Sequence, residues 1–205
     1  MPLRTFFIDM GNVLVHFCHD RMCAQIGSLC DLDGPTVKEK LFGTGLEHDL
    51  ERGRITEAEM HGRIEAAFSC SIDFDDLFRA SSDIFTLNES IVPVLDTLKS
   101  RGYRLVLLSN TSISHLNWVK QEYDVLERFD HLVTSYEAGA IKPEAPIFEA
   151  ALAAAECEPG ECFYTDDIAE YIETARTYGI DAEVFTDTPA LIGHLRERGI
   201  DVERS

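Results

Sequence analysis

Three polar features of the chain stand where apolar runs give out, and a fourth lies between the last two. Asp9 follows Phe6-Phe7-Ile8, and Ser109-Asn110 follows the run 103–108. Lys142 opens a segment with Pro143, and Asp166-Asp167 follows Cys162-Phe163-Tyr164-Thr165. A run that is apolar on both faces marks a strand covered above and below. A lone carboxylate at its end is costly unless it is paired or binds a metal. If Asp9 and Asp166 converge, they form an all-oxygen site suited to a hard cation such as Mg²⁺. A Ser hydroxyl, backbone N–H groups and a Lys ammonium are the donors that phosphoryl oxygens need. A carboxylate beside Mg²⁺ can attack phosphorus and form an aspartyl-phosphate. Taken singly, each feature is an ordinary strand end, turn or helix cap. Their order and shared placement point to a site.

Such residues need a scaffold that brings strand ends together. From residue 88 the pattern alternates helix and strand, with strands predicted over 103–108, 131–135, 162–165 and 182–185. Asn88 is expected to cap a helix that repeats Ile91, Val94, Leu95 and Leu98 and stops at Gly102. Strands separated by helices predict an α/β fold, a Rossmann-like, doubly wound parallel sheet. In that fold ligands bind beyond the carboxyl ends of the strands. Between residues 16 and 87 the signals are helical instead. Met22, Cys23, Ile26 and Leu29 share one face, Gly34-Pro35 opens a second helix, Thr56 and Glu59 form a capping box, and 73–85 supplies a further helix. These signals predict an all-helical cap over 16–87, inserted into a core of 1–15 and 88–205 and seated as a lid above the strand ends. The crossings at 15–16 and 86–88 would be its hinges.

Composition narrows the function. The 205 residues carry 18 Lys and Arg against 37 Asp and Glu, a net charge of −19, which argues against a nucleic-acid partner. No apolar run reaches the roughly 20 residues of a membrane span, and the N-terminus lacks the layout of a signal peptide. The six cysteines form no CxxC, and free thiols in a cytoplasmic protein are the expected state.

With those residues in place, the sequence resembles the haloacid dehalogenase superfamily. Phe7-Ile8-Asp9-Met10-Gly11-Asn12-Val13, Leu108-Ser109-Asn110, Lys142-Pro143 and Tyr164-Thr165-Asp166-Asp167 resemble its four motifs in order. The segment Glu51-Arg52-Gly53-Arg54-Ile55-Thr56 is similar to a helical-cap branch. That branch includes bacterial glucose-1-phosphate phosphatases and the phosphatase domain of soluble epoxide hydrolase. The resemblance implies a Mg²⁺-dependent phosphatase for a small phosphorylated metabolite, such as a sugar phosphate. Asp9 would be the nucleophile, and Asp9, the Gly11 carbonyl and Asp166 the metal ligands, with Asp167 close behind. Ser109, Asn110 and Lys142 would hold the phosphoryl group. The alternatives are a carbon–halogen hydrolase and a non-catalytic member that binds a ligand or partner. One residue departs from most phosphatases of the superfamily, which carry a second Asp two positions after the nucleophile as general acid and base. This chain has Gly11 there. His16, His19 and Asp20, at the root of the cap, are the sequence's candidates for a replacement proton donor.

Overall fold

The apolar run 6–15 divides at its carboxylate. In the computed structural model, which describes residues 2–202, β1 (Thr5–Ile8) ends just before Asp9, and β2 (Val15–Phe17) follows a tight loop. Five helices come next: α1 (His19–Leu29), α2 (Gly34–Phe42), α3 (Leu46–Glu51), α4 (Glu57–Phe68) and α5 (Phe74–Ser82). The chain returns through β3 (Phe85–Leu87) to α6 (Val92–Ser100), β4 (Arg104–Ser109), α7 (Ile113–Glu122) and β5 (His131–Thr134). A single turn, α8 (Ser135–Ala138), then leads to α9 (Ala145–Ala155), β6 (Cys162–Asp166), α10 (Ala169–Thr177), β7 (Asp181–Val184) and α11 (Thr188–Glu197).

The fold is the expected Rossmann-like α/β architecture. Its five strands are parallel, in the order β5–β4–β1–β6–β7. Alternate side chains of β1 enter different cores: Phe6 and Ile8 pack on one face of the sheet and Phe7 on the other. That is why its residues read as apolar without alternation. The chain builds one side of β1 first and then crosses to the other, so the winding reverses between β1 and β6. Ligands in open α/β sheets bind at that reversal. Asp9 and Asp166 stand at the ends of the two strands that flank it.

Three local expectations are corrected. The inserted segment is not helical to its ends: β2 and β3 pair antiparallel, so it enters and leaves on a two-stranded ribbon. Strands of three residues are too short to show a period. Asn88 does not cap α6, which starts later with Pro93 in its first turn. Its side-chain amide donates to Val13 O at 2.9 Å and its N–H to Leu14 O at 2.9 Å, tying the return crossing to the Asp9 loop. Cys30 and Cys70 are not free thiols. They form a disulfide, with Cα atoms 5.6 Å apart, because the packed helices bring the ends of α1 and α4 together. The inference of a reducing compartment from cysteine usage loses its basis. No helix among the described residues is long and apolar enough to cross a membrane.

Candidate active site

The centre of the site is an ammonium between two carboxylates. Lys142 is 2% exposed, and its Nζ donates to Asp9 Oδ1 at 2.7 Å, Asp166 Oδ2 at 2.6 Å and Leu108 O at 3.0 Å. These bonds use all three donors of the ammonium. Asn110, just past β4, fixes the backbone of Lys142 reciprocally. The Lys142 N–H donates to Asn110 Oδ1 at 2.7 Å, and Asn110 Nδ2 donates to Lys142 O at 3.2 Å. Fully buried Asp166 accepts the Ile168 N–H at 2.8 Å on Oδ1 and the Tyr164 hydroxyl on Oδ2. Asp167 accepts Asn12 Nδ2 at 2.9 Å. Asn12 has φ 54°, a left-handed conformation that Asn tolerates better than most residues.

The charges do not balance without a further cation. Asp9, Asp166 and Asp167 each offer an oxygen, and these oxygens lie within 4.8 Å of one another. Three carboxylates against one ammonium leave a formal excess of two negative charges, which one divalent ion would match. Their donors are all oxygens, as Mg²⁺ prefers. The bonds described above leave lone-pair capacity on the carboxylates, so the residues present fit the ion. Burial pushes the Asp9 carboxyl up, with Lys142 opposing the rise and Asp166 adding to it. Lys142 stays protonated: burial favours the neutral amine, but Asp9 and Asp166 outweigh it.

Above this centre lies a cavity of about 200 Å³. Asp9, Gly11, Asn110, Lys142, Asp167 and Tyr171 line it from the sheet side, and Phe17, His19, Glu47, His48 and Glu51 from the inserted side. Ser109 is set behind this wall, 1% exposed, with its hydroxyl donating to Asn110 O at 3.3 Å. It would first have to rotate away from that carbonyl to reach a ligand. His19 lines the cavity, whereas His16 is exposed on the ribbon and Asp20 is paired on the surface with Lys38 at 2.8 Å.

The segment that follows α3 holds the inserted helices against the core. Arg52 Nη2 meets Glu144 Oε1 at 2.7 Å. Gly53, at φ 64°, lies so close to Tyr136 that a Cβ would stand 2.5 Å from its carbonyl oxygen. A side chain is excluded there both by conformation and by space. Glu57 accepts the Ser114 N–H at 3.0 Å, a third tie. These contacts aim the end of α3, and so Glu51, into the cavity.

The family model of haloacid dehalogenase-like hydrolases matches residues 3–179. The chain belongs to that family. This haloacid dehalogenase-like hydrolase is 24% identical to the D-ribitol-5-phosphate phosphatase of Bacteroides thetaiotaomicron, over 87% of the chain and 90% of the relative. It is 36% identical to the glyceraldehyde 3-phosphate phosphatase of Methanothermobacter thermautotrophicus, over 51% of the chain and 48% of that protein. It is also 23% identical to bifunctional epoxide hydrolase 2 of Rattus norvegicus, over 76% of the chain but 31% of that protein's length. Among solved structures, a HAD family enzyme of B. thetaiotaomicron in complex with magnesium and inorganic phosphate superposes with TM-score 0.82. It shares 26% identity, over 92% of this chain and 98% of that one.

Sequence reasoning did not find Glu47, Glu51, Phe17 or Tyr171 as cavity residues. Glu51 was legible only as part of a resembling segment. Which face of a short inserted helix meets the core depends on Arg52 and Gly53 finding Glu144 and Tyr136, partners far along the chain.

Proposed function

We propose that the protein is a Mg²⁺-dependent phosphatase acting on a small phosphorylated metabolite through an aspartyl-phosphate on Asp9. The observation that carries this reading is the Lys142 ammonium bridging Asp9 and Asp166 at the strand ends, with Asp167 beside them. The relatives named as phosphatases support it, as does the fold shared with a magnesium- and phosphate-bound enzyme.

In this reading Asp9, Asp166 and the Gly11 carbonyl hold the ion, with Asp167 close by. Bound Mg²⁺ supplies positive charge to the phosphoryl oxygens and offsets their repulsion by the carboxylates. Lys142 holds Asp9 in a fixed orientation and adds a second positive charge at the point of attack. A carboxylate oxygen of Asp9 attacks phosphorus, the bond to the leaving oxygen breaks, and water then cleaves the aspartyl-phosphate. In this reading Asn110 and Lys142 hold the phosphoryl group once Lys142 exchanges one of its three bonds for a phosphoryl oxygen, joined by Ser109 once its hydroxyl turns. The inserted helices line one side of the cavity, and in this reading their closure over a bound substrate excludes bulk water. A cavity of about 200 Å³ suits a small substrate.

The test is phosphate release from a panel of alkyl, anomeric-sugar and aryl phosphates with Mg²⁺, run beside halide release from a 2-haloacid. Phosphate release that needs the metal supports the reading. Halide release without metal, and no phosphate from any ester, would replace it with carbon–halogen hydrolysis.

A further inference from the structure

Phosphate ester cleavage leaves an alkoxide that needs a proton, and position 11 cannot give one. Four acidic or basic side chains of the inserted helices line the half-enclosed cavity that contains Gly11: His19, Glu47, His48 and Glu51. His19 and Glu47 are engaged with each other, at 3.7 Å, and the His19 ring packs between Phe17 and Phe42, with centroids 4.9 Å from each. Glu51 differs. It is half-buried, lines the cavity together with Asp9, Gly11 and Lys142, and its carboxyl makes no hydrogen bond or ion pair among the described residues. A carboxyl withdrawn from water and left without a partner is costly. It is held there by the neighbouring docking contacts, the Arg52–Glu144 pair and the close approach of Gly53 to Tyr136.

We propose that Glu51 is the general acid that protonates the leaving oxygen and, in the second step, the base that activates water. The proposal rests on the phosphatase reading. In the first step Asp9 forms its bond to phosphorus, the ester P–O bond breaks, and the leaving oxygen takes its electron pair and the proton of Glu51. In the second, the Glu51 carboxylate takes a proton from water as the water oxygen bonds to phosphorus. The P–O bond to Asp9 breaks, and both carboxyl groups return to their starting states.

The surroundings suit the role. Burial chiefly pushes Glu51 up to about 7, while Lys142 and Arg52 act against the rise. That is near the operating range in which a group can both give and take a proton. On its own helix it is joined by Glu47 and His48, and His19 faces it from α1. Asp9, Lys142, Asp167 and Tyr171 complete the ionisable groups around the cavity from the core.

The experiment compares wild type, Glu51→Gln and Glu51→Asp on glycerol phosphate and 4-nitrophenyl phosphate with Mg²⁺, reading kcat, KM and the pre-steady-state burst. Glu51→Gln is expected to lower kcat for glycerol phosphate by about 10²–10⁴-fold with little change in KM. The first step on the aryl ester should fall far less, because its phenolate needs no proton, and a burst should appear as water attack becomes limiting. Glu51→Asp should recover part of the alkyl rate. The alkaline limb of the wild-type kcat profile should vanish in Glu51→Gln. An equal loss in the first step on both esters, a loss confined to KM, or an unchanged alkyl rate would overturn the role of Glu51 and leave the phosphatase reading intact. A wild type that cleaves neither ester would overturn both.

Discussion

The Cε1 atom of Phe17 lies 3.0 Å from where a Cβ on residue 11 would stand, so the glycine and the ring share one space. Phe17 is itself packed, with centroids 4.9 Å from His19 and 6.4 Å from Phe85. Gly11→Asp alone is therefore expected not to speed cleavage of alkyl phosphates. Displacing the ring should destabilise the fold by about 1–3 kcal/mol, the usual range for overpacking. In the Glu51→Gln background, Gly11→Asp combined with Phe17→Ala should recover alkyl activity that Gly11→Asp alone does not. Denaturant unfolding and kcat on both classes of ester check this.

Lys142→Met leaves Asp9 and Asp166 buried without their shared cation. Removing one partner of a buried charge pair typically costs about 3–5 kcal/mol, and activity should be lost with it. Because a divalent ion can take over part of the neutralisation, Mg²⁺ should raise the melting temperature of this variant more than that of wild type. Thermal unfolding with and without Mg²⁺ measures the difference. Equal shifts would mean that the ion does not bind among these carboxylates.

Gly53→Ala meets the Tyr136 carbonyl at 2.5 Å in a conformation that L side chains avoid, whereas Arg52→Ala removes only a partly buried ion pair. The first should lower kcat/KM more than the second, since it displaces the whole α3 end and Glu51 with it. A loss of about tenfold or more from Gly53→Ala, against a smaller one from Arg52→Ala, is the expected order. Steady-state kinetics on the best ester checks it.

Stability should carry two opposed pH signatures. Glu47 and Glu51, raised by burial to about 7 from 4.5, keep in the folded state protons that the unfolded chain has released. Their contribution is full below 4.5 and is lost as pH rises towards 7. Burial pushes His115 the other way, down to about 4 from 6.5, so the unfolded chain takes a proton that the folded one refuses. Its contribution is full above 6.5 and is lost as pH falls towards 4. Glu47→Gln, Glu51→Gln should therefore gain stability relative to wild type as pH rises from 4.5 to 7, read by denaturant unfolding at a series of pH values.

The fold was legible because β1, β4 and β6 are covered on both faces and announce themselves as unbroken apolar runs, with Asp9, Asn110 and Asp166 at or just past their ends. The ribbon was not, since Val15–Phe17 and Phe85–Leu87 are too short to carry a pattern. Lys142 was marked by its place before a proline, yet its reach to both carboxylates depends on the clamp from Asn110, which no local spacing encodes. The Cys30–Cys70 bond has the same character, being set by the packing of helices 40 residues apart. Glu51 was hidden most completely, because a carboxylate on a short polar helix reads as solvated until its docking contacts are known.

The most direct measurement is phosphate release from 4-nitrophenyl phosphate by wild type and Asp9→Asn, each with Mg²⁺ and with excess chelator. The account predicts release only from wild type with Mg²⁺, from a variant whose melting shows it to be folded. Release by folded Asp9→Asn at the wild-type rate, or by wild type after full chelation, would contradict it.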